Sequence, residues 1–171
     1  MILIIGLGNP EEAYKGTRHN LGACFVNKLK ESLDFPDFTL DKRSNALISA
    51  KDDIILAKPQ TFMNKSGESV KKLLKDKLIV IHDEADVDLG EVKISKGITS
   101  HGHNGVQSII DQIRTNDFTR IRIGINSTHM EENLEEAVLK RFKNQEKETL
   151  KEKEQEILEK IIETIENEKS E

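Results

Sequence analysis

Met1-Ile2-Leu3-Ile4-Ile5 runs directly into Gly6-Leu7-Gly8-Asn9-Pro10, with Tyr14 and then Thr17-Arg18-His19-Asn20 close behind. The Ile and Leu content at the start suits a buried strand, which we read as residues 2–6. Small residues and a proline then force a turn. Polar side chains gathered just past the carboxyl end of a buried strand are where open α/β proteins keep their chemistry. His19 is the candidate for a group that moves a proton near neutral pH.

Working outward, strand and helix patterns alternate. Leu21, Phe25, Val26, Leu29 and Leu33 recur at helical spacing, predicting a helix over about 20–33. Ala46 to Ala50 and Ile54 to Ala57 flank Lys51-Asp52-Asp53, a hairpin turn. Val70, Leu73 and Leu74 mark a helix for which Ser66 or Asn64 is the expected cap. Leu78-Ile79-Val80-Ile81 predicts a second buried strand ending at His82-Asp83-Glu84, with Glu84 and Asp86 capping the turn. Val92 to Ser95 reads as a short strand and Gly97 to Gly105 as a loop, followed by a helical face of Val106, Ile109, Ile110 and Ile113. Arg120 to Ile125 alternates, so one strand face is expected to be buried. Glu135 to Phe142 reads as a short helix. Leu150, Ile157, Leu158, Ile161, Ile162 and Ile165 give an acidic amphipathic helix at about 145–168.

These patterns predict one α/β domain over 1–171, a mixed, mostly parallel sheet sandwiched between helices. The absence of Trp and the single Tyr argue against aromatic stacking platforms for nucleic acid. A net charge of −5 argues against a broad basic surface, though not against a local basic groove. Cys24 is alone, which excludes a disulfide framework and a Cys-based zinc site; its neighbours suggest a small core residue in a reducing cytosol. No apolar run spans a bilayer, and the N-terminus has no basic n-region or cleavage signal, so Met1 to Ile5 reads as a strand, and no membrane association and a cytoplasmic location are expected.

Four segments carry candidate chemistry: Asn9 to Asn20, Lys58 to Gly67, His82 to Asp86 and Ser100 to Gly105. Three follow a strand and the last precedes a helix, so a parallel sheet brings them to one edge. Convergence would unite one histidine, one aspartate and several asparagines. That set suits hydrolysis by an activated water: a carboxylate orients an imidazole, the imidazole takes a proton, and amide N–H groups hold the developing oxyanion. His82, His101, His103 and Asp86 show no fixed ligand spacing, so no metal is expected. Gly6-x-Gly8 lacks the third glycine of a dinucleotide fingerprint. No Gly-x-Ser-x-Gly elbow supports a serine hydrolase.

The same segments resemble bacterial peptidyl-tRNA hydrolase. Gly-Leu-Gly-Asn-Pro…Tyr…Thr-Arg-His-Asn stands at 6–20, Lys-Pro-x-Thr-Phe-Met-Asn-x-Ser-Gly at 58–67, His-Asp-Glu-x-Asp at 82–86, Gly-His-Asn-Gly at 102–105, and Arg-Ile-Arg-Ile-Gly-Ile at 120–125. The resemblance is collinear to about residue 142. It implies a phosphorylase/hydrolase-like α/β fold and a monomer with no obligate protein partner, metal or cofactor. The enzyme would bind the acceptor end of peptidyl-tRNA and cleave the ester to the terminal ribose, a role in translation and ribosome rescue. By motif position it implies His19 as base and Asp83 as its orienting carboxylate. Asn9, Asn64 and Asn104 would hold the substrate carbonyl, backbone and water, and Tyr14 and Met63 would form walls of the peptide and adenosine site. Lys93, Lys96 and Arg122 are the candidates for tRNA phosphate, with Arg114 and Arg120 also available. Arg18 reads as a structural ion-pair partner.

Several positions depart from the family pattern. Glu11 and His101 stand where glycine is usual, and Ser95, Gln107, Ser127 and Thr128 thin the basic set. The readings that compete are a non-catalytic RNA-binding relative with the same fold and a hydrolase of another N-acylated ester.

Overall fold

The computed structural model describes residues 1–171. Its first strand, β1 (Ile2–Gly6), is buried along its whole length. It lies at the centre of a seven-stranded sheet that also contains β2 (Thr39–Asp41), β3 (Ala46–Lys51), β4 (Ile54–Pro59), β5 (Lys77–Asp88), β6 (Val92–Lys96) and β7 (Thr119–Asn126). The strand order is β2-β3-β4-β1-β5-β7-β6. The four inner strands β4-β1-β5-β7 run parallel, and the outer strands pair antiparallel. The short, exposed β2 carries no sequence signal of its own.

Side chains of β1 alternate between two cores, as period-two geometry requires. Ile2 and Ile4 join Phe25, Leu29, Ile157, Ile161 and Ile165 on one face, beneath α1 (Leu21–Ser32) and α5 (Asn144–Ser170). Leu3 and Ile5 join Val70, Val106 and Ile109 on the other, beneath α2 (Ser66–Leu73) and α3 (Asn104–Ile113). Full burial of a side chain such as Ile4 or Ile79 contributes about 1.5–3 kcal/mol. The expected sandwich of a mixed sheet between helices is therefore present. No helix is long and apolar enough to cross a membrane.

Five local expectations are corrected. The His82-Asp83-Glu84 stretch lies inside β5, not after it. β5 pairs with β1 only as far as Gly6↔Ile81, but its pairing with β7 continues through His82↔Arg122, Asp83↔Ile123 and Glu84↔Gly124. Where β1 turns away, β5 goes on with one neighbour, and the gap opens the crevice. β7 is buried on both faces, because Arg120 is inaccessible to solvent and finds partners inside. The helix expected over 135–142 stops at Val138 as α4 (Leu134–Val138). The Arg18 guanidinium takes the Ala137 carbonyl at 2.8 Å, and its backbone N–H takes that of Lys140 at 3.0 Å. Neither Asn64 nor Ser66 caps α2; the N-cap position is Lys65. An N-terminal amide, Gly67 N, instead donates to Ser108 Oγ of α3 at 3.0 Å. Cys24 is exposed, because Leu21, Phe25, Val26 and Leu29 form the inward face of α1.

One glycine sets the approach of α1 to the sheet. A Cβ on Gly22 would lie 2.1 Å from the Ile81 carbonyl oxygen. Only a bare backbone brings the start of α1, and the His19 turn before it, against the middle of β5.

Candidate active site

His19 belongs to a single 3-10 turn, Arg18–Asn20, immediately before α1. Its Nδ1 donates to Asp83 Oδ2 at 2.8 Å and also lies 3.0 Å from Oδ1. A second imidazole reaches the same carboxylate: His103 Nε2 donates to Asp83 Oδ1 at 2.9 Å. His103 is the N-cap of α3, and its Nδ1 accepts from Val106 N at 3.4 Å, which places the proton on Nε2. All three residues are buried. Burial by itself would raise the Asp83 pKa, but the adjacent His19 and His103 outweigh it and hold the carboxyl well below the ordinary range. Asp83 is thus a fixed anion, and His19 keeps its Nε2 without a protein partner on the wall of a cleft.

Behind this set lies a third imidazole. His82 Nδ1 donates to the Asp83 carbonyl at 2.7 Å, and its Nε2 accepts from Arg120 Nε at 3.1 Å. Both ring nitrogens are used and the residue is fully buried. Desolvation first, then the neighbouring His103 and Arg120, push its pKa well below the usual histidine value, so it is neutral. Its ring meets that of His103 edge-on, with centroids 4.7 Å apart. Glu84 is buried in the strand and does not cap a turn: Arg122 Nε donates to its Oε1 at 2.7 Å.

The cleft has a volume of about 490 Å³ and is lined by Asn9, Tyr14, Met63, Asn64 and Asn104 as well as His19 and Asp83. The asparagines differ in their freedom. Asn9 is buried and clamped: Asn20 accepts from its backbone N at 2.8 Å and donates to its backbone O at 2.9 Å. The Asn9 Oδ1 accepts from Met63 N at 2.8 Å. Its Nδ2 is left as a fixed donor. Asn64 and Asn104 are exposed. A Cβ on Gly105 would come within 2.4 Å of Met63 Sδ, so a side chain there would displace Met63 from the cleft wall. Phe62, Leu134 and Leu139, three exposed large apolar side chains, also line the cleft. His101 stands at its mouth in a left-handed conformation, φ 49°.

All seven sequence-predicted catalytic and substrate-binding residues therefore meet at one cleft. The three phosphate candidates do not line it. Lys93 is exposed on β6, opposite Arg122 in register. Arg122 is engaged by Glu84, and Lys96 Nζ lies 3.8 Å from Glu171. Sequence reasoning assigned no role to His103 or Asn20, although both sit inside quoted motifs. The ligand atoms of His19, Asp83 and His103 lie within 4.8 Å of one another. The nitrogens nearest Asp83 carry protons in this network, so the donor set is one of hydrogen bonds and not of open lone pairs.

Arg18, fully buried, anchors the His19 turn from behind. It donates to Glu146 Oε1 at 2.7 Å and Glu131 Oε2 at 2.9 Å. Burial would raise the Glu146 pKa, but hydrogen bonds from Arg18, Lys143 and Ser127 lower it.

Residues 3–171 match the family model described as peptidyl-tRNA hydrolase. A peptidyl-tRNA hydrolase of Thermodesulfovibrio yellowstonii is 40% identical over 180 residues, covering 95% of this chain and 91% of the relative. One from Campylobacter jejuni is 39% identical over 171 residues, covering 98% and 92%. The crystal structure of peptidyl-tRNA hydrolase from Acinetobacter baumannii superposes with a TM-score of 0.77 at 29% identity, covering 95% of this chain and 83% of that one.

Proposed function

We infer the reaction from the premise that this chain belongs to the peptidyl-tRNA hydrolase family: it hydrolyses the ester between a peptide and the 3′-terminal ribose of tRNA. The observation that carries this reading is the His19–Asp83 hydrogen bond of 2.8 Å, with His19 Nε2 unpartnered on the wall of the cleft. A water beside that nitrogen loses a proton to it as its oxygen bonds to the ester carbonyl carbon. Asp83 keeps the proton of the neutral imidazole on Nδ1 and stabilises the imidazolium that forms. The tetrahedral intermediate collapses with cleavage of the carbon–oxygen bond to ribose. The imidazolium returns its proton to the ribose oxygen, and the peptide leaves as a carboxylic acid that ionises by giving the water's second proton to solvent. General-base action of this kind contributes about 10²–10⁴-fold.

Asn9 Nδ2, aimed by the Met63 and Asn20 contacts, donates to a carbonyl of the peptide. Asn64 and Asn104 hold the peptide amide and the attacking water, and Tyr14 and Met63 wall the peptide and adenosine. A free ammonium in place of the amide leaves these groups mispaired, and such mismatches discriminate strongly. His103 is a positioning residue that holds Asp83. Lys93 is the free phosphate contact, with Lys96 and Arg122 secondary because each already faces a carboxylate. The site is complete within one chain, which supports a monomer; the lone free thiol and the tRNA substrate support a cytoplasmic setting. The intact His19–Asp83–asparagine set counts against a non-catalytic RNA-binding role. The test is release of N-acyl amino acid from N-acyl-aminoacyl-tRNA, with aminoacyl-tRNA as control. Equal rates on the two substrates would overturn the amide-recognition reading, and no release from either would overturn the reaction.

A further inference from the structure

The catalytic cleft has a larger neighbour. A groove of about 730 Å³ runs on the other side of the Asn9–Asn20 segment, between α1, the end of β4 and the first half of α5. Asn9 lines both cavities, so the groove adjoins the cleft where the peptide amide is held. We propose that this groove receives the upstream residues of the substrate's peptide, the part too long for the cleft. The inference rests on the reaction proposed above.

The lining fits a peptide chain better than RNA. Its floor is apolar, formed by Leu21, Phe25, Leu47, Phe142 and Leu150. Asn20, Asn27 and Gln60 add side-chain amides, which both donate and accept and so match a peptide backbone whatever its sequence. The charges are mixed. Lys15, Lys147 and Lys151 are exposed, but Lys15 lies 3.8 Å from Glu12 and Glu11 lines the same groove, so acids oppose a run of phosphates. Two further lysines are occupied: Lys28 pairs with Glu154, and Lys58 donates to Asn27 Oδ1 while lying 4.2 Å from the Phe38 ring centroid. A polyanion gains little from such a rim, whereas an apolar or mixed-charge peptide meets a partner at each point.

Cys24, the only cysteine, opens into this groove and reports on its occupancy. The experiment measures the rate of Cys24 modification by a small thiol reagent at one fixed pH in the full chain. Three probes are added at saturating concentration. They are deacylated tRNA, an N-acetyl-aminoacyl-tRNA with its ester replaced by an amide, and a hexapeptidyl-tRNA with the same replacement. Protection of about tenfold or more by the hexapeptidyl probe alone is expected. Protection by deacylated tRNA would assign the groove to RNA, and protection by none would leave it without a peptide; either overturns the proposal. A second arm uses Cys24→Trp, which fills the groove from an exposed helix position. Its kcat/KM should fall about tenfold on hexapeptidyl-tRNA and stay within twofold on N-acetyl-aminoacyl-tRNA. An equal fall on both, or no fall on either, would sink the groove while wild-type hydrolysis of the short substrate still upheld the reaction.

Discussion

Arg18 and His19 are neighbours in the chain, and each enters a buried cluster built around one charge with two partners. In the first, Arg18 sits between Glu146 and Glu131 and also takes the Ala137 carbonyl. In the second, Asp83 sits between His19 and His103. The Arg18 cluster is bonded on all sides and anchors α4 and α5 to the His19 turn. The Asp83 cluster has one nitrogen left over, His19 Nε2, on the wall of a cleft. Buried charge alone therefore does not mark a candidate site; hydrogen-bonding capacity left unspent at a cleft does.

The largest expected effect sharpens that contrast. His19→Ala should lower kcat by about 10²–10⁴-fold with little change in melting temperature. Asp83→Asn should also act on kcat more than on KM, because an amide can hold the wrong tautomer and cannot offset an imidazolium. Steady-state kinetics beside thermal denaturation separate the two clusters. A His19→Ala enzyme that turned over normally, or that failed to fold, would erase the distinction drawn between them.

Arg18→Met should do the reverse. Leaving Glu146 buried without its cation should cost about 3–5 kcal/mol of stability, read from chemical denaturation. kcat per folded molecule should fall far less than in His19→Ala. A catalytic loss equal to that of His19→Ala, at unchanged stability, would place Arg18 in the chemistry.

The contrast also explains what was readable in the sequence. β1, the β3–β4 hairpin and α5 follow from local periodicity, because each buries a face whose spacing is written into consecutive residues. The extent of β5 is not local. It depends on β7, far along the chain, continuing to pair after β1 has left. The end of α4 depends on carbonyls captured by Arg18, more than a hundred residues away. The motif match located His19, Asp83 and the asparagines. The second imidazole on Asp83 depends on the tautomer that Val106 N imposes on His103, a contact no spacing rule shows.

His82 gives a smaller effect with a defined sign. Its folded pKa lies below the unfolded value near 6.5, so the unfolded chain binds more protons in that window. Its contribution is complete above about pH 6.5 and is lost as pH falls toward the depressed folded value, by at most about 1.4 kcal/mol per pH unit. Asp83, whose folded pKa is also depressed, adds its loss only below its own unfolded value, about 3.9. Denaturation of the wild type between pH 7 and 4.5 should show the slope. His82→Gln keeps an acceptor for Arg120 and should flatten it. An unchanged slope in the variant would assign it to another group.

The smallest effect carries the comparison to the basic edge of the sheet. Lys93 and Arg122 face each other across β6 and β7. Arg122 is already spent on Glu84, with Nη2 also 2.7 Å from Oε1, whereas Lys93 forms no ion pair and is exposed. A cation that is already neutralised releases few counterions from RNA, so its loss should leave the salt dependence of binding unchanged. Lys93→Gln should therefore lower the slope of log K against log salt by about one for binding of tRNA. Arg122→Gln should leave the slope unchanged and destabilise the fold by leaving buried Glu84 with only the 4.0 Å contact to Arg120 Nη2. Binding of deacylated tRNA across a salt series, beside denaturation of both variants, reads the two outcomes together. If Arg122→Gln lowered the slope and Lys93→Gln did not, Arg122 would leave Glu84 for phosphate on binding. The rule that spent groups hold the fold while unspent ones meet the substrate would then fail at this edge.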